Sequence, residues 1–270
     1  MAVHQGVNVR AISIIIPTFN EKENLQELFT RIDNSLNCVY ECIIIDDNSV
    51  DGTGEFAEEL SRKYPIKVIH RKSKKGLASA VVEGFKHALG NIFVVMDADL
   101  QHSPEKIPEL IEELKKETDM AIASRHIQGG GTEKWSYFRK LTSRGAEFLA
   151  KTVLPKIRKI SDPLSGFFAF KREVIKESNL NPSGYKILLE ILVKGNYKKV
   201  AEVPFIFEGR KSGKSKLSLK EEINYLKHLY KLSRSEKEVS RFLKFCLVGL
   251  SGVFVNLGLL GLLTEIAGLF

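Results

Sequence analysis

Short apolar runs alternate with helix-length segments through the first half of this chain, and those runs repeatedly stop at acidic residues. Residues 11–16 read as a buried strand, and 21–35 carry Leu25, Leu28, Phe29 and Ile32 at helical spacing. A second strand at 42–45 ends in Asp46-Asp47, and the Asp51-Gly52-Thr53 turn behind it leads a helix to about residue 63. Strands at 66–69 and 92–96 bracket a helix over 76–89, and the fourth run ends at Asp97. Parallel strands need crossovers, and this strand-helix rhythm supplies one each time. It predicts an α/β fold on a doubly wound, mostly parallel sheet.

The pattern continues less regularly. Ser103 as N-cap and Pro104 in the first turn open a helix to about residue 116, and 120–123 is the next strand. Residues 128–132, rich in glycine, read as a flexible loop before a helix over 136–153. Strands at 167–170 and 200–207 flank a helix near 187–193. Through 217–232, Leu219, Ile223, Leu226 and Tyr230 recur with lysines between them. That is an amphipathic helix, suited to lie on a membrane or to pack on the domain.

Residues 245–264 carry no charge, and a stretch of about 20 such residues suffices to cross a hydrocarbon core as a helix. Lys227, Lys231, Arg234, Lys237, Arg241 and Lys244 precede it, which by the positive-inside bias puts the globular part on the cytoplasmic face of a membrane. The first ten residues lack the apolar run of a secretory leader. The expected organisation is an extension at 1–10, a catalytic α/β domain at 11–215, interface helices at 216–241 and a transmembrane segment at 242–270.

A formal net charge of +8 calls for anionic partners. The cations of the second half cluster beside the apolar tail with no stacking aromatics among them, so a lipid phosphate is the simpler partner and nucleic acid is not expected. Cys38, Cys42 and Cys246 form neither a disulfide framework nor a CxxC metal pair.

Asp97-Ala98-Asp99-Leu100-Gln101 is the sharpest local feature. If the strand conformation persists, side chains 97, 99 and 101 share one face and present two carboxylates and an amide oxygen, a donor set for Mg²⁺ or Mn²⁺. Asp46-Asp47 ends another strand of the same sheet, and ligands of open α/β sheets bind beyond such ends. After the first strand stands Pro17-Thr18-Phe19-Asn20-Glu21 in place of a glycine-rich turn, and no GxxxxGK[ST] occurs, so a dinucleotide dehydrogenase and a P-loop enzyme are disfavoured.

These motifs resemble, in order, those of inverting family 2 glycosyltransferases of the GT-A fold: residues 13–21, Ile44-Ile45-Asp46-Asp47-Asn48-Ser49, Asp51-Gly52-Thr53, Gly76-Leu77-Ala78 and Asp97-Ala98-Asp99. The second half, with Asp162-Pro163-Leu164-Ser165-Gly166-Phe167, Gly184-Tyr185-Lys186 through Glu190, Glu202-Val203-Pro204 and Arg210 to Leu217, is similar to the dolichyl-phosphate mannose synthases. The resemblance implies a GDP-mannose donor, a dolichyl or polyprenyl phosphate acceptor and a divalent cofactor. It implies Pro17, Phe19, Glu21, Ile44 and Asp46 around base and ribose, with Ala98 beside them and Asp99 at the metal. The tail resembles the start of the small multi-span domain often fused to such enzymes, and departs from that pattern in showing one span.

Inverting transfer requires the acceptor oxygen to attack opposite the departing diphosphate, so both must be held in line and the leaving charge stabilised. Asp99 and Gln101 through a metal, with Arg210 and Lys216 closing over the pyrophosphate, would meet the second need. A phosphate acceptor is already largely ionised near neutrality, so Asp97 is assigned positioning rather than strong-base duty. Arg125, Arg139 and Ser143 are the candidates for the acceptor phosphate. His102 reads as a half-exposed loop histidine, Asp162 as a brace for the Ser165-Gly166 turn, and Trp135 as an anchor or gap-filler; the resemblance would put Glu190 near the sugar, while on a helix facing solvent it reads as ordinary. The competing readings are a polyprenyl-phosphate glucosyltransferase using UDP-glucose, a sugar nucleotidyltransferase, an aspartyl-nucleophile phosphatase and a membrane-tethered nucleic-acid binder.

Overall fold

The structure, a computed structural model, describes residues 12–73, 76–133, 135–182, 184–209, 219–235 and 239–266. The first half runs β1 (Ile12–Thr18), α1 (Lys22–Ser35), β2 (Tyr40–Asp46), α2 (Thr53–Leu60), β3 (Ile66–His70), α3 (Leu77–His87), β4 (Ile92–Val95), α4 (Ile107–Lys115) and β5 (Met120–Ser124). The second runs β6 (Gly131–Thr132), α5 (Tyr137–Val153), β7 (Phe168–Lys171), α6 (Ile187–Lys194), β8 (Val200–Pro204), β9 (Ile206–Phe207), α7 (Leu219–Ser235) and α8 (Val239–Ile266).

Seven strands form one sheet in the order β3-β2-β1-β4-β7-β5-β8. All neighbours pair in parallel except β7, which runs antiparallel to both β4 and β5. Helices cover both faces, so strand residues are buried whichever way they point, and β1, β2 and β5 are buried along their whole length, with runs of isoleucine or alanine at their centres for that reason. Ile15, Ile43, Ile45, Val95 and Ile122 pack on one side with α3, α5, α6 and α7. Ile14, Ile16, Ile44, Val94 and Ala121 pack on the other with α1, α2 and α4.

From β1 the chain winds outward through β2 to β3, then crosses back to place β4 on the other flank of β1. That reversal opens a crevice beyond the carboxyl ends of β2, β1 and β4. The segment read as a loop holds β6, whose two residues pair in parallel with β9. The apolar face of α7 divides. Tyr225, Leu229 and Leu232 are buried in the main core, while Ile223, Leu226 and Tyr230 stay exposed. α8 packs along α5 and α7, with the Tyr230 and Phe242 rings 5.4 Å apart. Residues 245–264 are helical within α8, but among the described residues no helix is long and apolar enough to cross a membrane. Some side chains of that stretch lie outside the described residues.

Candidate functional site

At the end of β2, Asp46 is buried and held by three hydrogen bonds. Its Oδ1 accepts from Thr18 Oγ1 at 3.1 Å and from Ser49 Oγ at 2.5 Å, and its Oδ2 accepts from Ser49 N at 3.0 Å. Asn20 and Asn48 take positive φ of 55° and 64°, which turns both loops sharply away from their strands. Asn20 N donates to Ser49 Oγ and Val50 N to Asn20 Oδ1, so the loops after β1 and β2 form one stitched rim. Pro17 is buried at the end of β1, with Phe19 and Glu21 partly exposed on the rim. Glu21 N donates to Thr53 Oγ1, and Glu21 Oε2 accepts from Asn24 Nδ2. Ile44 lies deeper: its side chain is fully buried in the sheet core, and it sits within β2 between Ile16 of β1 and Val68 of β3, two residues short of the strand's end.

Asp47 anchors a second loop. Arg71 Nη1 donates to Asp47 Oδ1 and Gly76 N to Asp47 Oδ2, both at 2.8 Å, while Arg71 Nη2 reaches Ser79 Oγ at 2.9 Å. Gly76 at φ 92° enters α3 through a conformation that a side chain would resist.

The acidic segment after β4 departs from the expected alternation. β4 ends at Val95, and Leu100 adopts φ 60°, so strand periodicity is lost before Gln101. Residues 97, 99 and 101 therefore do not form one extended face. Local bonds hold them instead. Gln101 N donates to Asp99 Oδ1 at 3.2 Å, and Gln101 Nε2 donates to Glu208 O at 2.8 Å. That bond fixes the amide's nitrogen and turns its oxygen the other way. Asp99 is 6% exposed and Ala98 is buried, whereas the Asp97 carboxylate is 33% exposed.

His102 is not the half-exposed residue expected. It is buried among Phe167, Phe205 and Phe207, stacked on Phe167 at 5.3 Å, and its Nδ1 accepts from Asp97 N at 3.0 Å. Burial pushes its pKa down to about 4, so the ring is a neutral prop beneath Asp97. Gly166 lies against it. A Cβ there would come within 3.0 Å of His102 Cε1 and 3.5 Å of Asp97 Oδ2.

A cationic wall faces this segment from β5, α5 and the start of α6. Arg125 is clamped by Asp162 through its backbone N at 3.1 Å, Nε at 2.7 Å and Nη2 at 2.8 Å. Asp162 thus orients Arg125 instead of only bracing the turn, and Glu202 caps it in turn by accepting from Ser161 N and Asp162 N. Trp135 sits within this wall, with the Arg139 guanidinium 4.1 Å and that of Arg125 5.5 Å from its ring centre, and Phe207 edge-on behind it. Arg139 opens α5, where Ser136 caps its N–H, and Ser143 lies one turn further along the same face. Lys186, which sequence reasoning carried only as part of a motif, places Nζ on Leu164 O at 2.9 Å, within electrostatic range of Asp97, Arg125 and Asp162. Burial pulls its pKa down to about 8.

Glu190 is elsewhere. It is 1% exposed, contrary to the expected solvent-facing position, and it holds α6 to α7 through His228 Nε2 at 3.1 Å, Lys194 Nζ at 2.6 Å and Asn181 N at 2.7 Å. Arg210 and Lys216 lie outside the described residues. Among those described, no cluster of three or more His, Cys, Asp or Glu side chains is set to hold a metal unaided. Asp99 and the Gln101 amide oxygen are nevertheless hard donors of the kind that would suit Mg²⁺ or Mn²⁺.

A family model described as glycosyl transferase family 2 matches residues 13–178. The dolichol-phosphate mannosyltransferase of Pyrococcus furiosus is 56% identical over 256 residues, covering 94% of this chain and 73% of that protein. That of Saccharomyces cerevisiae is 37% identical over 234 residues, covering 82% and 86%. Among solved structures, glucosyl-3-phosphoglycerate synthase from Mycobacterium tuberculosis, in complex with Mn²⁺, UDP-glucose and phosphoglyceric acid, matches with a TM-score of 0.58 at 19% identity over 86% of this chain and 80% of that one. The same synthase bound to UDP gives 0.60 at 18% identity, covering 83% and 80%. At that identity the likeness is one of fold, an α/β GT-A architecture with a mostly parallel sheet. By its sequence over more than half its length, this chain belongs to glycosyl transferase family 2.

Proposed function

We propose that this glycosyltransferase moves mannose from GDP-mannose to a dolichyl or polyprenyl phosphate, with inversion, at the cytoplasmic face of a membrane. The observation that carries the reading is the division of the crevice. Acidic and polar groups lie at the ends of β2, β1 and β4, and the cations Arg125 and Arg139 gather with Asp97 within electrostatic reach of Lys186. A nucleotide diphosphate sugar and a phosphate acceptor need those two sides. The mannosyltransferase names of the relatives supply the sugar and the lipid.

In this reading Pro17, Phe19, Glu21, Asp46 and Ala98 seat the nucleoside, with Ile44 shaping the strand behind them. Asp99 and Gln101 hold the divalent ion, and when bound it neutralises charge growing on the departing diphosphate. Arg210 and Lys216 close on the same diphosphate. Arg125, Arg139 and Ser143 present the acceptor phosphate, whose oxygen attacks the anomeric carbon as the bond to GDP breaks and GDP leaves with the electron pair. Asp97, propped by His102, sits between the two and positions the sugar. Catalytic residues 11–215, interface helices at 216–241 and a membrane segment at 242–270 complete the picture, with the mixed face of α7 and the helix through 245–264 at the lipid.

The test is incubation with GDP-mannose and a short polyprenyl phosphate, with Mg²⁺ or Mn²⁺ and then with chelator. Divalent-dependent, lipid-linked mannose is expected. Release of GDP and free mannose with no lipid product would contradict the reading.

A further inference from the structure

Lys186 stands one residue before α6, and its Nζ donates to Leu164 O at 2.9 Å. The ammonium also stands 4.7 Å from the centre of the Tyr185 ring, so both of these contacts are to neutral groups, and the side chain is half-buried, with hydrogens left for an anion in the site. The carbonyl belongs to the loop that also supplies Asp162, so the lysine and the Arg125–Asp162 pair are fixed by one piece of chain.

The charge around Lys186 is unbalanced. Asp162, already engaged by Arg125 through three hydrogen bonds, and the partly exposed Asp97 attract it, while both Arg125 and Arg139 repel it. A lysine held beside two guanidinium groups is unfavourable in the empty site. It becomes favourable when a dianion lies between them, because charge-assisted bonds to phosphate are short and strong. Lysine suits that role as a point charge that adapts to whatever oxygen the arginine forks leave uncovered.

We propose that Lys186 is a third cation of the acceptor subsite, binding the phosphate of the lipid acceptor beside Arg125 on the side nearest Asp97. The inference rests on the reading of Arg125 and Arg139 as acceptor groups. It adds that one oxygen of the acceptor phosphate is drawn toward Asp97, where the sugar's anomeric carbon must lie, so Lys186 aims the nucleophile as well as binding it.

The experiment compares Lys186→Met, Lys186→Arg and the unaltered full chain. Initial rates are taken against a short polyprenyl phosphate at saturating GDP-mannose, and GDP-mannose affinity is measured separately by calorimetry. Lys186→Met should raise KM for the lipid phosphate about tenfold or more, with GDP-mannose affinity within about twofold of the unaltered chain; one strong phosphate contact is worth roughly that much. Lys186→Arg should recover most of the loss, and Lys186→Gln takes the place of the methionine variant, with the same expected rise in lipid KM, if that variant fails to fold. An unchanged lipid KM with weakened GDP-mannose binding would place Lys186 on the donor and overturn the proposal, as would unchanged values of both. If the unaltered chain transfers mannose to no lipid phosphate, the underlying reading falls with it; normal transfer with an unresponsive Lys186→Met removes only this proposal.

Discussion

Asp162 is 1% exposed and receives three hydrogen bonds from Arg125. Burial alone would raise its pKa, but the Arg125 guanidinium more than offsets that and holds the carboxyl below its ordinary value. A group depressed on folding stabilises the native state above its unfolded value, near 3.9, and loses that contribution as pH falls through the folded value. Asp162→Asn should therefore cost about 3–5 kcal/mol at neutral pH, the usual cost of stranding one partner of a buried pair. Its deficit against the unaltered chain should shrink below about pH 4. Urea unfolding across pH measures this; a deficit of the same size at pH 7 and pH 3 would show that the ion pair is not its source. Such pairing was hidden in the sequence because Asp162 and Arg125 are 37 residues apart. The acidic pair at 97 and 99 was legible as chemistry, but its geometry was not: one left-handed residue, Leu100, cancels the strand alternation on which the expected shared face depended.

Among elements, the isoleucine-rich strands were readable because burial on both faces leaves an unbroken apolar run, which Ile14-Ile15-Ile16 and Ile43-Ile44-Ile45 display. The direction of β7 was not, since Phe168–Lys171 carries the same pattern whether parallel or antiparallel. The two-residue ladder of β6 on β9 had no signal, because Gly131-Thr132 has turn composition and its partner lies far along the chain. α7 was legible as amphipathic, but both alternatives for it hold in part. Tyr225, Leu229 and Leu232 enter the core while Ile223 and Leu226 remain outside. Its docking depends on Glu190, whose burial would raise its pKa but which His228 and Lys194 hold below the ordinary carboxylate range. Glu190→Ala should loosen α7 selectively, seen as faster amide exchange across Leu219–Ser235 with β1 and β2 unchanged. Unaltered protection of α7 would refute that dependence.

At the scale of the whole molecule, exposed apolar side chains gather on three helices that touch one another: Tyr137 and Phe148 on α5, Ile223 and Leu226 on α7, Leu247 and Val248 on α8. Side chains of that size left exposed together mark a surface that meets lipid or another apolar partner, and the basic residues at 227–244 favour anionic lipid. The full chain should float with vesicles containing anionic phospholipid in a density gradient, and more weakly with neutral ones. Sedimentation away from both would remove the membrane from the account. Within family 2 the nucleotide and the sugar remain the decisive choice. The most direct measurement is a competition among GDP-mannose, UDP-glucose and GDP-glucose for one short polyprenyl phosphate in the presence of Mg²⁺ or Mn²⁺. Lipid-linked mannose should dominate, and chelation should abolish it; lipid-linked glucose from UDP-glucose, or transfer indifferent to chelation, would contradict the account.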